Sequence, residues 1–266
     1  MTSKVTPVTL KEKKSAGKKI TALTVYDYLT AQIVDETGID IVLVGDSVGM
    51  VLLGYKNTLA VTIEEMVHYT SAVSRGVRRA LLVGDMPFMS YHISVEETVR
   101  NAGRFVQEGH AEAVKLEGGE EIGDKVRAIV AAKIPVLGHV GLKPQDALMI
   151  GGFKIQGKDR ASADKIIRDA RSLEDAGVFG IVLECVPAAL AKEVTEAVSV
   201  PTIGIGAGKY CDGQILVTHD ILGLTEGTAP KFVKKYADMR TTIKNAVGEF
   251  KGECEKGAYP DEKHSY

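Results

Sequence analysis

Six short apolar runs in this chain end on, or just beyond, polar residues that could do chemistry together: Asp27, Asp46 with Ser47, Asp85, Lys115 with Glu117, His139, and Glu184. An acidic residue just past a strand often does no more than cap the following helix, and that reading stays open for each of them singly. Asp46 and Asp85 suggest a hard-cation site, because carboxylate oxygens suit magnesium; Glu117 could complete its shell directly or through water. Lys115 and Glu117 stand two apart in one run, so on a strand both point to the same face. A structural salt bridge between them is the plain alternative.

A metal with open positions can chelate a 2-oxo acid through its keto and carboxylate oxygens. Negative charge on the keto oxygen is then stabilised when the neighbouring carbon loses a proton, which is enolate chemistry. Lys115 could pair with the substrate carboxylate. Glu184 follows the apolar run Gly180-Ile181-Val182-Leu183, a setting that raises a carboxyl pKa toward working pH, as a general base needs. His139 could hydrogen-bond the substrate, against the alternative of a structural histidine. The run Gly204-Ile205-Gly206-Ala207-Gly208 lacks both the Walker lysine spacing and the full dinucleotide fingerprint, so tight packing at a barrel corner stands beside phosphate binding.

Positioning these residues requires strands, and the apolar runs supply them: Ile20 to Val25, Ile39 to Val44, Ala80 to Val83, Ala113 to Leu116, Pro135 to Leu137, Gly180 to Leu183, Pro201 to Ile205 and Ile215 to Val217. Segments with helical spacing lie between most of them: Ala31 to Glu36, Ile63 to Ser74, Val95 to Glu108, Glu121 to Ala132, Ala163 to Ala176 and Ala188 to Val198. Thr62 and Ser94 read as N-caps, each followed by two glutamates in the first turn. Such alternation predicts a parallel sheet, and eight repeats favour its closure. The expected fold is therefore α/β, a single (β/α)8 TIM barrel over residues 1–250. It carries an N-terminal helix and an extra C-terminal helix from Lys231 to about Phe250, with a flexible polar tail over 251–266. The lysines at 11, 13, 14, 18 and 19 read as a solvated helix face.

Bulk properties narrow the function. The chain has 266 residues, 45% of them hydrophobic, and a formal net charge of -2, which excludes the one-sided basic field that nucleic-acid binding needs. Three cysteines without paired spacing argue against a disulfide framework or a thiolate zinc site. No run approaches a membrane span and the first thirty residues hold no secretory-type segment, so a cytoplasmic protein acting on small molecules is expected.

Longer segments carry a resemblance: VGDSVGMVLLGY, VGDMPFMSY, VKLEGG, GHVGLKPQ, GGFKIQGK, IGIGAG, CDGQILVTHDILGL and PKFVKKYAD. From Ile20 to about Met239 the chain resembles the ketopantoate hydroxymethyltransferase family. The resemblance implies magnesium held at Asp46, Asp85 and Glu117, a 2-oxo acid contacting Asp46, Ser47, Asp85 and Lys115, and Glu184 as proton acceptor. It also implies 5,10-methylenetetrahydrofolate as one-carbon donor to 3-methyl-2-oxobutanoate, a place in pantothenate and coenzyme A biosynthesis, and a homo-oligomer, usually a decamer of five dimers. Two departures stand out: Asp146, Ala147 and Leu148 replace an expected serine, valine and asparagine, and Lys209 replaces a common proline. Barrels of the isocitrate lyase and phosphoenolpyruvate mutase type are the nearest enzymatic alternative; their Lys-Lys-Cys-Gly-His loop has no counterpart around Cys185, Cys211 or Cys254. A non-catalytic metabolite-binding barrel is the alternative from another class.

Overall fold

A computed structural model describes residues 3–150, 154–227 and 230–266. Gly151, Gly152 and Phe153, which open the GGFKIQGK segment, lie outside the described residues. Eight parallel strands close into a barrel: β1 Ile20–Thr24, β2 Ile41–Val44, β3 Leu81–Asp85, β4 Ala113–Glu117, β5 Val136–Gly141, β6 Gly180–Glu184, β7 Thr202–Ile205 and β8 Gly213–Val217. Closure is the pairing of β1 with both β2 and β8. All eight expected strands are present. β5 runs past the expected Leu137 to Gly141, and Gly138 within it sits where a side chain would meet Leu173 at 2.8 Å.

Helices cover the outside: α1 Pro7–Ser15, α2 Tyr28–Glu36, α3 Val48–Val51, α4 Ile63–Ser74, α5 Val95–Gln107, α6 Gly123–Ala131, α7 Ala147–Ile150, α8 Arg160–Ala176 and α9 Ala188–Ala197. Thr62 caps α4 in a reciprocal box with Glu65, and Ser94 caps α5 by accepting from the Glu97 N–H. Buried residues alternate along the strands. Ile41, Leu43, Leu81, Val83, Ala113, Leu137, Val182 and Ile203 fill the interior, while Val42, Val44, Leu82, Val114, Leu116, Val136, Ile181 and Leu183 pack outward against the helices. Period two then fixes the site, because Asp85, Lys115, Glu117, His139 and Glu184 each continue an inward-facing row.

Helix α1 is more firmly held than a solvated face. Val5 and Leu10 join the interior cluster at the N-terminal end of the barrel. Lys13 pairs with Asp40 at 2.6 Å, and Lys14 donates to the carbonyls of Thr195, Val198 and Val200 while pairing with Asp212 at 3.0 Å. Lys19 donates to the Cys211 carbonyl. Lys13 and Lys14 thus staple the helix across the barrel floor, which linear charge spacing does not reveal because the acceptors lie far away in sequence, while Lys11 and Lys18 are solvated as expected.

Residues Met1–Val217 form one compact unit and Thr218–Tyr266 a second. The second unit holds α10 Thr218–Ile221 and α11 Met239–Glu255. Helix α11 starts later than the expected Lys231 because Asp238 caps it, accepting from the Thr241 N–H, and it runs on past Phe250 with a Lys251–Glu255 pair at 2.6 Å. The tail expected to be flexible contains that last turn and a 3-10 turn at Glu262–His264 capped by Asp261.

Gly141 ends β5 at φ +96, and a Cβ there would lie 2.4 Å from the Glu184 carbonyl oxygen. Gly141→Ala is expected to lower stability by at least about 2 kcal/mol, read as a drop of several degrees in Tm; an unchanged melting curve would show that this corner yields freely.

Candidate active site

The polar strand ends meet at the C-terminal mouth of the barrel, where barrel enzymes carry their chemistry. Register makes the meeting unavoidable, since Asp85 pairs with Lys115, Glu117 with His139, and Gly141 with Glu184 across neighbouring strands. An unbroken series of contacts results. The Asp46 N–H donates to Asp85 Oδ2 at 3.2 Å, and Lys115 Nζ donates to Asp85 Oδ1 at 2.7 Å and Glu117 Oε1 at 3.1 Å. His139 Nδ1 lies 3.5 Å from Glu117 Oε1, and its Nε2 lies 3.4 Å from Glu184 Oε2. Asp46, Asp85, Lys115, Glu117 and His139 are all buried.

Ser47 follows Asp46 into the first turn of α3, and its hydroxyl lies 2.8 Å from the Tyr26 hydroxyl. Asp27 stands apart from this cluster. It is exposed and caps α2 by accepting from the Thr30 N–H at 2.9 Å, so at this one strand end the capping alternative holds. The glycine loop after β7 also takes its plainer reading: Gly206 and Gly208 have φ of +61 and +76, and a Cβ on Gly208 would lie 2.5 Å from that of Ala188. Backbone closeness accounts for these glycines without a bound anion.

Burial governs the ionisation of the site. It pushes the Glu184 carboxyl up to about 8, helped by the negative field of Glu117 and opposed by Lys115. Asp85 rises to about 6, burial outweighing the Lys115 ammonium beside it. Asp46 is also held well above the ordinary carboxylate range, by burial and the charges of Asp85 and Glu117. Burial works against the Lys115 cation, but Asp85, Glu117 and Asp46 together overcome it and hold its pKa above the ordinary lysine value. Burial and the Lys115 charge keep His139 neutral, well below the usual histidine pKa. Its Nε2 bonds the Leu142 carbonyl at 2.8 Å, which makes Nε2 the protonated nitrogen and leaves Nδ1 an acceptor without a hydrogen-bond partner.

Three buried carboxylates, Asp46, Asp85 and Glu117, face one buried ammonium, and the surplus negative charge suits a divalent cation. Among the described residues no three Asp, Glu, His or Cys side chains form a ready-made metal cage. Magnesium does not need one, since it keeps several waters and uses one or two carboxylates. Asp46 and Asp85 fit that demand. Asp85 and Glu117 are equally engaged: Asp85 accepts from Lys115 and the Asp46 N–H, while Glu117 Oε1 accepts from Lys115 and Oε2 from the Gln145 N–H at 3.2 Å.

Two site residues escape a reading of strand ends. Tyr91, in the loop after β3, donates its hydroxyl to Gln145 Oε1 at 2.7 Å, and Gln145 Nε2 donates to Asp46 Oδ2 at 3.0 Å. The signal for both lies in the segments VGDMPFMSY and GHVGLKPQ, each of which ends on one of them.

Comparison with known proteins identifies the fold and the family. A structure of phosphonopyruvate hydrolase in complex with oxalate and Mg++ aligns over 98% of this chain and 93% of its own, with a TM-score of 0.63 and 15% identity. A putative phosphonomutase from Burkholderia cenocepacia J2315 aligns over 91% of this chain and 98% of its own, with a TM-score of 0.67 and 14% identity. These likenesses show the barrel fold alone. The sequence relatives are far nearer. A 3-methyl-2-oxobutanoate hydroxymethyltransferase of Thermoanaerobacter sp. (strain X514) is 57% identical over 100% of this chain and 97% of its own. One from Syntrophomonas wolfei is 56% identical over 99% of this chain and 96% of its own. The family model for ketopantoate hydroxymethyltransferase matches residues 4–262. With an enzyme site at the barrel mouth and relatives of this kind along its full length, the chain belongs to the ketopantoate hydroxymethyltransferase family.

Proposed function

We propose that this enzyme transfers a hydroxymethyl group from 5,10-methylenetetrahydrofolate to 3-methyl-2-oxobutanoate (2-oxoisovalerate), giving ketopantoate for pantothenate and coenzyme A biosynthesis. One observation supports the reading: the contact series from Asp46 through Asp85, Lys115, Glu117 and His139 to Glu184 gathers a group of buried acids around one ammonium and a carboxyl of raised pKa in one site. Asp46 and Asp85 would hold magnesium, with Glu117 completing the shell directly or through water. When bound, the metal supplies positive charge that acidifies the C–H next to the ketone.

Glu184 takes the proton from C3 of the 2-oxo acid. The C3 electron pair forms the new carbon–carbon bond to the one-carbon unit as both its bonds to folate nitrogens break, water provides the hydroxyl oxygen, and tetrahydrofolate departs with the C3 proton and the leftover water proton on those two nitrogens. Lys115 balances the substrate carboxylate, Ser47 lies beside Asp46 to bond the same ligand, and the free Nδ1 of His139 accepts a hydrogen bond within the site. Binding alone needs no buried carboxyl of raised pKa at the far end of the series, which favours catalysis over a metabolite-binding barrel. For the assembly we propose a homo-oligomer, a decamer of five dimers. The exposed Tyr28, Leu29 and Ile33 on α2 suit coverage by a neighbouring subunit.

The direct test mixes purified protein, magnesium, 2-oxoisovalerate and methylenetetrahydrofolate and looks for ketopantoate by mass spectrometry, with pyruvate as a competing acceptor. No ketopantoate from folded protein would refute the proposal. Asp46→Ala and Asp85→Ala are each expected to weaken magnesium-dependent 2-oxo acid binding by ~10-fold or more, measured by calorimetry. Unchanged affinity in both would remove these residues as the cation site.

A further inference from the structure

We infer that Gln145 is a positioning residue that locks Asp46 and Glu117 in one arrangement and ties the loop after β5 to the 2-oxo-acid end of the site. Gln145 is buried in the 3-10 turn Pro144–Asp146, far from Asp46 in sequence. Its amide has no spare capacity for another orientation. The Tyr91 hydroxyl has a single proton, and its shortest contact, 2.7 Å, is to Gln145 Oε1. The phenol oxygen in turn accepts from the Glu117 N–H at 3.3 Å. With Oε1 thus fixed as the acceptor, the two Nε2 protons go to Asp46 Oδ2 and the Met86 carbonyl, both at 3.0 Å. The Gln145 backbone N–H meets Glu117 Oε2 at 3.2 Å. One residue therefore donates to two of the three buried acids, and Tyr91 sets which end of its amide faces Asp46.

The arrangement has two consequences. Asp46 Oδ2 carries a fixed donor, which leaves Oδ1 as the oxygen free to meet a cation. Asp46 also cannot rotate without breaking a bond to the turn that contains Asp146 and leads into Ala147 and Leu148, the positions where this chain departs from the family pattern. Movement of that loop is transmitted to the acids through Gln145, so it alters affinity for the 2-oxo acid.

This inference rests on the assignment of Asp46 to the cation, and the experiment separates the two. Calorimetry measures magnesium and 2-oxoisovalerate binding to wild type, Gln145→Ala, Tyr91→Phe and Asp46→Ala, with circular dichroism as the fold check; C3 proton exchange at saturating magnesium and ligand is followed in parallel. The expected result for Gln145→Ala is ~10–100-fold weaker magnesium-dependent binding, a smaller loss in the same direction for Tyr91→Phe, and a saturated exchange rate within ~3-fold of wild type. A merely structural role would lower stability without this split between affinity and rate. If Asp46→Ala weakens binding while folded Gln145→Ala and Tyr91→Phe do not, the positioning role is wrong and the cation site stands. If Asp46→Ala has no effect, both fall. Should Gln145→Ala fail to fold, Tyr91→Phe decides, since it leaves the amide in place and removes its orienting donor, along with the hydroxyl's contacts to the Glu117 backbone.

Discussion

Glu184→Gln abolishes exchange of the C3 proton of 2-oxoisovalerate with deuterated water while magnesium-dependent binding of that acid survives. The amide keeps the shape of the carboxyl but cannot take a proton, and loss of a general base lowers turnover by ~10²–10⁴-fold. The same change stabilises the protein. The folded-state pKa of Glu184 is raised from the ordinary value of 4.5 to about 8, so its favourable contribution is complete below about 4.5 and is lost as pH rises through about 8. Ionising the buried carboxyl works against folding by on the order of 2–5 kcal/mol by the top of that window. Denaturant unfolding of the metal-free proteins is expected to show Glu184→Gln more stable than wild type at pH 8 and equal to it near pH 4.5. Normal exchange in the variant would remove Glu184 as the base; an unfolding midpoint that does not respond to the substitution at pH 8 would remove its buried ionisation.

Lys115→Met has the largest expected effect on stability. Lys115 is the cation within the buried acid cluster, 2.7 Å from Asp85 and 3.1 Å from Glu117. Removing one partner of a buried ion pair costs about 3–5 kcal/mol because the other charges are left uncompensated. Three acids share that burden here, which sets the pH dependence. Without the ammonium the folded-state pKa values of Asp46 and Asp85, already raised by burial, climb further above the unfolded ones, so the variant loses stability as pH rises from about 4 to 7.5, and its deficit against wild type widens over that window. Magnesium is expected to return part of the loss by supplying the missing positive charge. Urea unfolding at pH 5 and 7.5, with and without magnesium, reads both effects. A deficit equal at the two pH values would mean that the acids do not depend on Lys115 for their charge.

Much of this was legible before folding was considered, for reasons particular residues make clear. The eight apolar runs announce their strands because both faces of a parallel barrel strand are buried. Once strand ends are known, period two sends Lys115 and Glu117 inward together, and Asp85, His139 and Glu184 with them. Asp27 shows where that logic stops: a carboxylate three residues past the end of β1 caps the next helix, and sequence alone does not separate the two uses. Lys14 was misjudged because its acceptors lie on the far side of the chain. Tyr91 and Gln145 belong to loops, whose course no periodicity dictates, and their place is set by hydrogen bonds to Glu117 and Asp46 that exist only in the closed barrel. Only the resemblance pointed to the segments that contain them, without saying what they do.

The central claim is that the cation end and the base act on one molecule of 2-oxo acid. Diffraction from crystals grown with magnesium and 2-oxoisovalerate tests it most directly. The predicted result places the keto and carboxylate oxygens on a metal beside Asp46 and Asp85, with C3 about 3–3.5 Å from the Glu184 carboxylate. A ligand bound away from those acids, or bound to the metal with C3 turned from Glu184, would contradict it.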